Sequence, residues 1–187
     1  NSAAIGGGVA INGGVLVADN VTISSNNATT GGNIYISSDK TSSITSSEII
    51  LGNNGGSIDL GTDVLGGGIF VDGAKVNIKN SSINQNKAFA GGAIYVTENN
   101  GLASEVTLTS GELLNNEADM GGAIFMKNGK VAISSVDIAE NNAKDGAAIY
   151  VSNGEVTLNT GKISNNIATE NGGGLSINGG TVNIIEN

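Results

Sequence analysis

Asp59 and Asp63 are the nearest approach to a paired carboxylate in this chain of 187 residues. Glycoside hydrolysis needs two carboxyl groups flanking the scissile bond at one of two set separations. A calcium-dependent lyase needs an acid cluster for the metal and a basic residue to take the proton. Neither pattern is present. The other acids, among them Asp19, Asp39, Asp72, Glu98, Glu105 and Asp119, are scattered and fall mostly in turns. Histidine, cysteine and arginine are absent, which leaves few candidates for a general base, a thiolate ligand or an oxyanion clamp. Asp59 and Asp63 therefore read as solvated loop carboxylates. The glycine doublets are not phosphate loops, because no helical pattern follows them. They also lack the aspartate of the glycine-rich calcium repeat. The sequons at Asn20, Asn27 and Asn80 are what an asparagine-rich chain produces by chance. We assign no catalytic residue, no metal and no cofactor.

The charge pattern narrows the partners. Seventeen acids against eight lysines give a net charge of −9. Nucleic acid needs a basic footprint and anionic membranes repel such a chain, so neither is expected as a partner. No apolar run approaches the length of a membrane-spanning helix. The chain opens directly on a repeat, and we read it as one domain, 1–187, cut from a longer protein whose targeting segment lies elsewhere.

The elements that would position any site are themselves periodic. A glycine-led phrase recurs as GGGVAI at 6, GGNIYI at 31, GGGIFV at 66, GGAIYV at 91, GGAIFM at 121, GAAIYV at 146 and GGGLSI at 172. The intervals are 25, 35, 25, 30, 25 and 26 residues. Each period holds two further runs. One is V-x-I/L, as in Val76–Ile78 and Val131–Ile133. The other is I/L-x-x-N-x-A, as in Ile83 to Ala88. Alternation over three to five Val- and Ile-rich residues means strands, and Asn-Gly or Asp-Gly between runs means sharp turns. This predicts an all-β, right-handed parallel β-helix of about seven rungs of ~25 residues, three short strands each. Variable rungs with inserts disfavour the left-handed form, and 25 residues are too few for a four-stranded propeller blade.

Alternation also assigns faces. The aliphatics of each phrase point inward, and the residue between them points out. That place holds Tyr35, Phe70, Tyr95, Phe125 and Tyr150, five of the six aromatics, with Ala10 and Ser176 at the two ends. A stacked outward column is expected, and with it a candidate binding face. Asn26, Asn53, Asn86, Asn116, Asn141 and Asn166 follow an inward aliphatic by three residues. They are expected to form a buried structural ladder at a corner, bonding backbone and one another. Inserts near 52–66 and 97–105 break the beat and are further candidates for recognition.

GGAIY and GGAIF followed by I-x-x-N resemble the polymorphic outer membrane protein repeats of chlamydiae, whose motifs are GGA[ILV] and FxxN. Ile or Leu replaces the Phe here, at Ile83, Leu113, Ile138 and Ile163. The resemblance implies an autotransporter passenger or adhesin, displayed outside the cell and binding a host-cell protein or glycan receptor. The alternatives are a carbohydrate-active β-helix enzyme and a structural spacer. Neither end of the sequence reads as a polar cap, so end-to-end self-association is also expected.

Overall fold

A computed structural model describes residues 1–50, 52–53 and 64–185. Asp59, Asp63 and most of the 52–66 insert lie outside the described residues. The chain is all-β, a parallel β-solenoid of about seven turns. Its first sheet stacks seven strands built from the glycine phrase, from Val9–Asn12 through Ile94–Thr97 to Leu175–Ile177. Every paired strand runs parallel to its copy one turn away. Val76, Val106, Val131, Val156 and Val182 share one register, as do Ile78, Leu108, Ile133, Leu158 and Ile184. This pairing is the one the repeated runs predict.

The count of strands per turn differs from expectation. In four turns the V-x-I/L and I/L-x-x-N runs are one strand of ten residues, Lys75–Asn84, Glu105–Leu114, Lys130–Ala139 and Glu155–Ser164. Each bends at its sixth residue, Asn80, Ser110, Ser135 or Thr160, where φ is between 49° and 57°. A single left-handed residue redirects the chain without ending its pairing: Val106↔Val131 lies before the bend and Gly111↔Val136 after it. The third side is thinner. Ser2–Ile5 pairs with Asn27–Thr30 and Asn142–Asp145 with Ile167–Asn171, and between these the contact runs through single bridges, among them those at Leu65, Ala90 and Met120.

Among the described residues the interior is filled mainly by two facing sheets. Ile94 and Val96, Ile124 and Met126, and Ile149 and Val151 of the first sheet are fully buried against Val106, Ile133, Ile138 and Val156 of the second. Full burial of each such side chain contributes roughly 1.5–3 kcal/mol. Burial falls off in the first and last described turns. Val17 is 73 % exposed at one end and Ile184 is 72 % exposed at the other. Ile133, Val136, Leu158, Ile163 and Leu175 line a cavity at the second end.

Turns lie one strand spacing apart, ~4.8 Å, so corners tolerate little bulk. A Cβ on Gly122 would sit 2.5 Å from the Ala147 carbonyl oxygen and 2.6 Å from that of Asn142. On Gly174 it would meet only a methyl of Ile163, at 3.5 Å. Gly122→Ala should therefore destabilise by about 1–3 kcal/mol, the usual cost of overpacking. Gly174→Ala should stay within about 0.5 kcal/mol of the parent. Urea unfolding of the two variants checks this, and equal costs would refute the tight-corner account.

Candidate functional site

Three places were singled out by their residues: the aromatic column, the asparagine ladder and the insert near residue 100. The column forms. Tyr35, Phe70, Tyr95, Phe125 and Tyr150 stack with centroid separations of 5.6, 4.8, 5.0 and 5.2 Å and near-parallel planes. In-register pairing of the strands sets that spacing. The rings lie outside the aliphatic core, as alternation requires, but they do not form an open stripe. Leu65, Phe89, Ala90 and Met120 from the third side fold over them and make a second apolar cluster. Phe70, Tyr95 and Phe125 are only 5–7 % exposed. The expectation of a solvent-facing adhesive column is corrected on this point. Only the flanking Tyr35 and Tyr150 remain half-exposed. Alternation tells which face of a sheet a residue takes. It does not tell whether another segment covers that face.

The ladder also forms, with one correction. Asn86, Asn116, Asn141 and Asn166 occupy equivalent corners. Each amide nitrogen donates to the next Oδ1: Asn86 to Asn116 at 3.0 Å, Asn116 to Asn141 at 3.0 Å and Asn141 to Asn166 at 2.9 Å. The second amide proton returns to a carbonyl one turn back. Asn116 donates to Ile83 O at 2.9 Å and Asn141 to Leu113 O at 2.9 Å. Each Oδ1 accepts a backbone N–H as well. The buried amides are thus satisfied along their length. Asn1 joins the ladder through a 2.8 Å bond to Asn26.

Asn53 is not a rung. The corner equivalent to Asn116 in that turn is Gly52, whose N–H bonds Asn86 Oδ1 at 2.9 Å. Asn53 sits one place later. It bonds the backbone of Ala28 twice, accepting from its N–H at 2.8 Å and donating to its carbonyl at 3.0 Å. The missing amide comes from Asn33. Its Oδ1 accepts from Asn26 at 2.9 Å, and its Nδ2 donates to Asn86 Oδ1 at 3.1 Å. Asn33 stands where the other phrases carry Gly or Ala, and that departure was the signal in the sequence for the substitution.

The insert at 97–105 is compact. Asn99 and Leu102 exchange backbone hydrogen bonds of 3.0 and 2.8 Å across a tight turn, with Asn100 and Gly101 at positive φ. Buried Ser104 closes the neck by donating to the Thr97 carbonyl and accepting from Ala74 N. Asn99 reaches back over two turns to Asp72 Oδ2 at 3.0 Å and Ser37 Oγ at 3.1 Å. Tyr35 donates its hydroxyl to the same Asp72 oxygen at 2.8 Å. Burial and this carboxylate raise the Tyr35 pKa above its ordinary value. A polar hollow of about 200 Å³ lies between this loop and the turns below it. Among the described residues no group of three acids, histidines or cysteines could hold a metal.

Unfolding of ladder variants and an alkaline titration test these contacts. Asn116→Ala should cost about 1–3 kcal/mol by stranding its buried partners. Asn33→Ala should cost about as much, although it copies the residue at Ala93, Ala123 and Ala148. A neutral Asn33→Ala would refute the replacement of the missing rung. Burial also pushes the Tyr95 hydroxyl up to about 12. A pKa raised in the fold gives stability that is complete below the unfolded value near 10 and lost as pH climbs toward 12. Tyrosinate absorbance should therefore show Tyr95 ionising near 12, and Tyr95→Phe should flatten the alkaline loss of stability. No family model, curated protein or solved structure matches this chain.

Proposed function

We propose that the chain is a non-catalytic surface solenoid, an adhesin or autotransporter passenger displayed outside the cell, that presents a binding face to a host-cell protein or glycan. The observation that carries this reading is where the repeated chemistry is spent. Glycine, aliphatic, aromatic and asparagine positions all serve the packing of one turn on the next. The described departure from that beat is a hydrogen-bonded loop that stands off one side and shapes a polar hollow. A stiff rod with a local recognition loop suits display better than turnover. The resemblance of GGAIY and I-x-x-N to the chlamydial surface repeats supports the same reading.

Beads coated with the 187-residue chain should adhere to cultured epithelial cells. Soluble protein should compete with them, and a chain unfolded in urea before coating should not adhere. Adhesion no greater than that of albumin-coated beads would overturn the proposal.

A further inference from the structure

The hollow beside the 99–102 turn has the chemistry of a subsite. Asn12, Ser37 and Asp72 occupy one register on three successive strands of the first sheet. They therefore run about 10 Å along the axis. Asp39 and Asn99 complete the polar wall, and Leu102 stands at the rim, 54 % exposed. The Asp72 carboxylate is fixed on one side only. Its Oδ2 accepts from Tyr35 and Asn99, while Oδ1 has no protein donor among the described residues. The loop is ordered before any ligand arrives, because Asn99 and Leu102 are bonded to each other and Ser104 closes the neck. Gly73 lets it seat this closely, since a Cβ there would lie 2.7 Å from that of Asn99. A pre-ordered wall spares a ligand the entropy of arranging it.

We propose that this hollow binds a neutral oligosaccharide, with Asp72, Asn12 and Asn99 bonding adjacent sugar hydroxyls and Leu102 covering a C–H face. The inference rests on the reading of the chain as a binding solenoid and names the ligand class of one site on it. With Asp72 Oδ2 and the Asn99 amide protons already bonded, Asp72 Oδ1 and Asn99 Oδ1 are left to accept from sugar hydroxyls, and the Asn12 amide can both donate and accept. The wall contains two carboxylates and no lysine, so phosphorylated, sulfated and other anionic ligands are repelled. A calcium ion would need six or more oxygens, and the Asn99 amide directs N–H at Asp72 where a cation requires a lone pair. The hollow takes about one sugar ring, and the three-turn run of Asn12, Ser37 and Asp72 lets neighbouring units continue along the wall.

The test is an NMR titration of the isotope-labelled chain with maltotriose, cellotriose and mannotriose in turn, and separately with calcium chloride. At least one trisaccharide should shift the side-chain amide signals of Asn12 and Asn99 and the backbone of 99–102, saturably, with signals of the opposite sheet unmoved. Asp72→Asn keeps the shape and should weaken that binding about tenfold, the loss of one hydrogen bond to a charged group. No shift with any of the three sugars overturns the proposal, as does calcium moving these signals when the sugars do not. Trisaccharide binding by a chain whose beads fail to adhere supports the subsite and overturns the adhesive reading. Adhesion without a trisaccharide shift does the reverse.

Discussion

Parallel pairing between consecutive turns is the constraint on which the rest depends. It places every residue directly over its counterpart, about one strand spacing away. A side chain must then be compatible with a copy of itself above and below. Aliphatics satisfy this by packing, aromatic rings by stacking and asparagine by bonding amide to amide. Charges do not, and one column alternates them, although Glu112 and Asp137 stack as like charges in another. Lys75, Glu105, Lys130 and Glu155 follow one another in a single register. The ion pairs Lys75–Glu105 at 3.1 Å and Lys87–Glu117 at 2.8 Å each span one turn. Exposed as they are, each contributes less than about 1 kcal/mol, and their clearer role is to penalise a slipped register.

Much of this was legible because the constraint writes itself into the sequence. A self-compatible column appears as the same residue at a fixed interval, and the intervals gave the number of turns, the inward aliphatics and the stacked rings. The asparagine ladder was legible for the same reason wherever Asn recurred at its expected place. The period misleads where it is disturbed. Asn53 looked like a rung because it follows Ile50 by three residues, but the register runs through Ile49 and sets Gly52 at the corner. The rescue by Asn33 comes from the glycine phrase before Ile34–Ser37, a different part of the turn, and a one-dimensional period does not show it.

Two further features left weaker traces. The bend inside each long strand is made by Asn80, Ser110, Ser135 and Thr160, ordinary polar residues in which a left-handed backbone is tolerated rather than announced. The cover over the rings comes from Leu65, Ala90 and Met120, which share a place in the turn but not a residue type, and from Phe89 one residue earlier. Burial there depends on how the third side folds back, a property of the assembled coil. The polar hollow is similar. Its walls come from four turns and converge only because one of those turns carries five extra residues.

The ladder has a direction. Each amide hands its proton to the next higher turn, from Asn86 through Asn116 and Asn141 to Asn166. Among the turns that carry Asn86, Asn116, Asn141 and Asn166, the upper surface of one is therefore much like that of another, and so is the lower. A gene for such a coil can lengthen or shorten by duplicating or deleting the DNA between two glycine phrases, and the new seam repeats contacts that already exist. Length becomes a trait that recombination can adjust in whole steps, while a shift of one or two residues is confined to the corners.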